Sequence, residues 1–260
     1  MIESASEIRE IVARGCHLHR REVDLNLDME RQMSLATYQV TLCGRDGVVV
    51  VSDRCQVWQE QSSSRGWTKC NVKKLFVDNT GKVAWTFSGG WFSDVTAHYL
   101  RDCLDENPAR DELSIESAIK KSGNRATEAF HTLLRPYSTD ILVLVFGSSR
   151  QMLRAQISRE GTVVTQLETK QCVSGATDSL VNFFPNHFCS AGDMSVDQLA
   201  PIAAYCVRMA HEEDSKYVDG LDIAIFRDLT GRFEFADRDL YWDEAGKLDD
   251  ALRQFVRAQH

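Results

Sequence analysis

The feature that most constrains this chain is a pair of β-type runs, residues 38–43 and 48–52, separated only by Gly44-Arg45-Asp46-Gly47. Strand-forming residues on both sides of a short turn with two glycines predict a tight antiparallel hairpin. A polar loop over residues 59–68, with Ser62-Ser63-Ser64 inside it, leads to a second hairpin. There, residues 72–77 and 83–87 flank Asp78-Asn79-Thr80-Gly81, residues that favour turns by local hydrogen bonding and by tolerating positive φ. Two hairpins thus precede any long helix.

Helical spacing follows over residues 91–104 and 115–134, the latter through Ile115, Ile119, Ala126, Phe130 and Leu133. Strand patterns return at 141–146, 152–157 and 163–167, then helices at 178–184 and 196–212. A strand pair at 221–226 and 232–235 and a terminal helix over 244–258 complete the order. Strand blocks separated by paired helices do not make βαβ units. They predict packed antiparallel sheets with helices on both outer faces, an α+β class.

With 260 residues, 43% hydrophobic and 26% charged, the chain has enough material for a sizeable core. A net charge of −8 opposes general nucleic-acid binding. Apolar stretches are of strand length, too short to span a bilayer, and residues 1–10 carry three acids and no apolar segment. A cytoplasmic location is the expectation. The eight cysteines include no C-x-x-C pair and the seven histidines are dispersed, so reduced thiols are expected, and neither a metal nor a cofactor is implied. Gly-rich phosphate loops and a G-x-S-x-G elbow are both missing. Residues 1–36 read differently, with helical spacing at Ile8, Ile11 and Val12 and then a charged stretch; we expect an N-terminal extension or propeptide ahead of a domain over 37–260.

One constellation carries chemistry. Thr37 heads the first strand, Asp53 ends the second 16 positions later, Lys73 and Lys74 open the next strand pattern, and Gly89-Gly90 follow the last strand of the second hairpin. Singly, each has an ordinary reading: Thr as a strand starter, Asp53-Arg54 as a loop ion pair, the lysines as a solvated edge, the glycines as a bend before a helix. In this order and on these elements, they resemble the opening of proteasome β subunits and the HslV peptidase. Ser174-Gly175 resembles the family's central Ser-Gly, taken as preceding a helix, and residues 217–225 resemble its late segment.

The resemblance implies the four-layer αββα sandwich of N-terminal nucleophile hydrolases, which agrees with the element order. It also implies a threonine peptidase activated by autocleavage before Thr37. A Thr hydroxyl is a poor nucleophile, but at a chain's N-terminus its own α-amine acts as the adjacent base. Lys74 and Asp53 would supply electrostatic support, Gly89 an oxyanion donor, Ser174 an auxiliary hydrogen bond, and Asp214 a substitute for the family's accessory Asp. A homo-oligomeric ring, a peptide or protein substrate and an unfoldase ATPase partner follow from the same resemblance. Two positions depart from the pattern: Ala36 stands where the family has Gly before the cut, and Val218 where it has an accessory Ser. These departures keep open a noncatalytic subunit that retains residues 1–36 and acts in assembly or partner binding.

Overall fold

The computed structural model describes residues 37–59, 67–89, 91–106, 111–130, 140–158, 160–175, 191–213, 215 and 218–258. The extension over 1–36 and the helix expected at 178–184 lie outside them. The first hairpin forms as expected, β1 (Tyr38–Gly44) with β2 (Gly47–Ser52), Gly44 opposite Gly47 across the Arg45-Asp46 turn. A hairpin not expected follows, β3 (Cys55–Gln59) with β4 (Trp67–Asn71), in the stretch read as a polar loop. The next strand is shorter than expected: β5 (Leu75–Val77) pairs with β6 (Val83–Ser88), leaving residues 72–74 outside the ladder.

Helices α1 (Trp91–Glu106) and α2 (Glu112–Phe130) lead to β7 (Asp140–Phe146), β8 (Met152–Ser158), β9 (Gly161–Leu167) and β10 (Gln171–Gly175). Then come α3 (Val196–Glu213), β11 (Asp222–Arg227), β12 (Arg232–Phe235) and α4 (Arg238–Ala258). Two antiparallel five-stranded sheets result, ordered β10-β1-β2-β11-β12 and β5-β6-β7-β8-β9.

Side-chain parity explains the layering. Along β1, Tyr38, Val40 and Leu42 face α3, whereas Cys43 and its face-mates look toward the other sheet; on β2, Val49 and Val51 face the helix and Val48 and Val50 the sheet. Every residue of both strands is buried because both faces are covered. On the second sheet Trp85, Phe87, Leu142 and Leu144 pack beneath α1 and α2, while Ala84 and Val145 meet Val50, Ala224 and Phe226 between the sheets. Helices on the outside and two sheets within make the αββα sandwich.

Local signals fix the helix starts. Just before α3 the Gln198 side chain reaches back to accept the Ser195 N–H at 3.0 Å, and Asp46 of the first turn accepts the Val196 N–H at 2.8 Å. Asp237 accepts the Asp239 and Leu240 N–H groups, starting α4 at Arg238, six residues before the expected 244. No helix among the described residues is long and apolar enough to cross a membrane.

Candidate functional site

Thr37 directly precedes β1 and Asp53 directly follows β2, so the hairpin register alone brings them side by side. The chain locks that arrangement with two hydrogen bonds, one to a side chain and one between main chains. The Tyr38 N–H donates to Asp53 Oδ1 at 2.8 Å, and the Asp53 N–H donates to the Tyr38 carbonyl at 3.0 Å. The Cys55 N–H donates to the second carboxylate oxygen at 2.8 Å.

Lys74 lies just before β5 rather than within a strand, and the β3–β4 hairpin is inserted between it and Asp53. Freed from the ladder, its side chain turns inward. Its ammonium donates to Thr37 Oγ1 at 2.8 Å, to Asp53 Oδ2 at 2.9 Å and to the Cys55 carbonyl. Three ammonium protons meet three acceptors, and the carboxylate receives only donors, which is the pattern of an ionised pair. Thr37, Asp53 and Lys74 are all buried, Asp53 completely. Burial pushes the Asp53 carboxyl up from its ordinary range, against the opposing pull of the Lys74 charge and the N–H groups of Tyr38 and Cys55. The loop ion pair weighed for Asp53-Arg54 does not form in that way: Asp53 pairs with Lys74, and Arg54 with Asp222 at 2.9 Å.

The space beside this trio, between the two sheets, is polar. Gln39 and Thr41 share the face of Cys43 on β1, and Ser52, Thr86 and Ser88 are buried near them in the fold. Ser174 lies in β10, a strand, not before a helix, paired opposite Gln39. Its hydroxyl approaches Ser88 of the other sheet at 3.5 Å. Gly89 follows β6 directly with φ 141°, a backbone setting that a Cβ disfavours. Gly90 and Asp214 lie outside the described residues. Val218 is buried in the apolar core under α3, its carbonyl paired with His211 Nδ1 at 2.8 Å.

Two participants escaped sequence reasoning. The Cys55 carbonyl is a main-chain acceptor with no side-chain signature. Gln39 is buried with neither end of its amide partnered among the described residues, and its place two residues after Thr37 on the same strand face was the available signal. Among the described residues no group of His, Cys, Asp or Glu could hold a metal ion.

The arrangement can polarise the Thr37 oxygen. An ammonium at 2.8 Å favours the deprotonated hydroxyl, and the buried carboxylate holds that ammonium in place.

No family model and no curated protein matches the sequence. The fold does match solved structures. An Anbu Gly-1 mutant from Hyphomicrobium sp. strain MC1 superposes with a TM-score of 0.62 at 15% identity, covering 85% of this chain and 96% of that one. A further Anbu structure from the same strain gives 0.60 at 14%, covering 85% and 97%. Anbu (ancestral beta-subunit) from Yersinia bercovieri gives 0.61 at 13%, with the same coverage. The assignment to the proteasome β-subunit and HslV family is thereby corrected. The solved structures it resembles are Anbu proteins, at an identity that shows a proteasome-like fold and no family membership. The reason is physical: one fold is shared by more than one family, so residues matched by their order on its elements do not separate one family from another.

Proposed function

We propose that this chain is the precursor of a proteasome-like threonine hydrolase, activated by cleavage between Ala36 and Thr37. The observation that carries the reading is the 2.8 Å contact from Lys74 to the Thr37 hydroxyl, with Asp53 buried behind it. Loss of residues 1–36 would give Thr37 a free α-amine, whose reference pKa of about 7.7–8.0 suits a general base at neutral pH. The amine takes the hydroxyl proton as Oγ1 attacks an amide carbonyl. It returns that proton to the leaving amine, and water then releases the acyl group from the Thr37 ester. Lys74 stabilises negative charge on Oγ1, Asp53 fixes Lys74, the Gly89 N–H is the oxyanion donor, and Ser174 and Asp214 are auxiliary groups.

The substrate class is a peptide or protein. The Yersinia bercovieri neighbour is described as an ancestral beta-subunit; for this chain we extend the proposal to a homo-oligomeric ring served by an unfoldase ATPase.

A second reading, a noncatalytic subunit that retains residues 1–36, is favoured by two observations. Thr37 is only 2% exposed, and Val218, which can neither donate nor accept through its side chain, is a core residue.

Intact-mass measurement with N-terminal sequencing, on wild type and Thr37→Ala side by side, separates the readings. The hydrolase requires a wild-type chain beginning at Thr37 and an uncut mutant. A folded, assembled wild type that stays whole supports the noncatalytic subunit.

A further inference from the structure

Next to the Thr37 site in sequence, but built from different side chains, lies a cavity of about 270 Å³. Its charged lining is Arg54, Lys73, Arg238 and Asp222, and its apolar wall includes Phe235 and Ala236. Three cations against one carboxylate are notable in a protein whose net charge is −8.

The donors are only partly used. Arg54 gives Nε to Asn71 at 2.6 Å and Nη1 to Asp222 at 2.9 Å, which leaves its other terminal nitrogen free of any contact among the described residues. Lys73 has no carboxylate within ion-pair distance among those residues; it sits over the Phe235 ring at 4.5 Å and the Phe76 ring at 5.6 Å. Arg238 has one ion-pair contact among the described residues, to Asp239 through Nε at 3.4 Å, an acid that is 87% exposed; with Lys73 it also draws on the Asp222 carboxylate from a greater distance. Phe235 is 49% exposed, an aromatic face at the mouth of a cationic hollow.

We propose that this cavity binds a small organic monoanion, a carboxylate carrying an apolar or aromatic group. Arg54, Lys73 and Arg238 hold the carboxylate, and Phe235 and Ala236 receive the apolar part. A planar guanidinium fork matches the two oxygens of a carboxylate. Asp222, fixed beside Arg54, repels a dianion more than a monoanion, which sets the site against phosphate. The size fits a single amino-acid residue rather than a long ligand. The inference does not depend on Thr37 being a nucleophile, since its readout is binding.

The test is calorimetric titration of the full-length protein with N-acetyl-phenylalanine, its carboxamide and inorganic phosphate, at low and high salt. Saturable binding of the acid is expected, with no binding of the carboxamide, weaker binding of phosphate, and loss of affinity as salt rises. Lys73→Ala and Arg238→Ala, both at exposed positions, should each weaken the acid about tenfold, the loss of one charge-assisted contact. Circular dichroism on the same samples confirms that they fold. A 3-phenylpropanoate arm distinguishes a free acid from the C-terminal residue of a peptide, which would make the acetylated amino acid the tighter ligand. Equal binding of acid and carboxamide, phosphate binding as tight as the acid, unchanged affinity in both variants, or no saturable binding by the folded wild type would each overturn the proposal.

Discussion

Gln39 and Ser174 face each other across the β1–β10 ladder, and among the described residues only Ser174 of the two has a polar hydrogen-bonding neighbour in the other sheet. An amide buried with neither end satisfied carries a desolvation cost on the order of 1–3 kcal/mol. Gln39→Met keeps the shape and removes the polar atoms. We expect it to raise the urea midpoint without changing the slope of the transition, and to lower any hydrolysis that depends on the Thr37 site. A fall in the midpoint would mean that the amide has a partner beyond the described residues.

The Lys74–Asp53 pair should show strong energetic coupling. Lys74→Met leaves a carboxylate buried without its cation, a loss of about 3–5 kcal/mol. Adding Asp53→Leu removes the orphaned charge and should recover part of that loss. A double-mutant cycle in urea checks this, and strictly additive losses would contradict an ionised pair. If Thr37 is the nucleophile, Lys74→Met also leaves the chain unprocessed.

Gly47 is held by backbone, not by preference for a turn. A Cβ there would lie 2.0 Å from the Phe226 carbonyl oxygen and 2.9 Å from Val196 Cγ1, and the carbonyl belongs to the adjoining β11 ladder. Gly47→Ala must therefore push β2 away from β11. We expect a loss of at least roughly 1–3 kcal/mol in thermal or urea unfolding. Gly161 is half-buried and a Cβ there would face open space, but its φ is 133°, so Gly161→Ala is strained at its own backbone alone.

Alkaline stability carries a definite sign. Burial pushes the Cys43 thiol up from 9.0 to about 11, and the same cause raises Tyr38. A group whose pKa is higher folded than unfolded contributes stability that is complete below the unfolded value and disappears as pH rises through the folded one. For Cys43 the window runs from pH 9.0 to about 11. The loss is on the order of 2–3 kcal/mol. Cys43→Ala should flatten the fall of the urea midpoint across that window, and an unchanged slope would show that the thiol ionises alike in both states.

Much of the fold was legible because its strands advertise themselves: Val48 to Val51 is a β-branched run bounded by glycine and serine. The β3–β4 hairpin was hidden by composition, since Cys55-Gln56-Val57-Trp58-Gln59 and Trp67-Thr68-Lys69-Cys70-Asn71 are too polar and irregular for the alternation rule. β10 is five residues ending Ser174-Gly175, read from the sequence as preceding a helix, and it becomes a strand only by pairing with β1. The early start of α4 depended on Asp237, a cap outside the apolar pattern. At the site, the Thr37–Asp53 proximity was legible from hairpin spacing. Lys74's reach was not, because it depends on residues 72–74 leaving the ladder, and the Cys55 carbonyl has no letter in the sequence to mark it.

The Arg45-Asp46 turn ties the far end of β1 to three other parts of the chain. The Arg45 N–H donates to the Met194 carbonyl, Asp46 accepts from Val196 and, through its carbonyl, from Asp228, and Arg150 reaches the Arg45 carbonyl at 3.0 Å. At the opposite end of the strand lie the buried polar groups of Thr37 and Gln39. β1 is therefore expected to open from one end, like a zipper with a fixed stop. In deuterated water the amide of Cys43, held by the Lys170 carbonyl at 2.7 Å, should exchange only when the whole molecule unfolds, while that of Gln39 should exchange sooner through a partial opening. A chain fastened in this way can loosen its Thr37 end repeatedly without losing its shape.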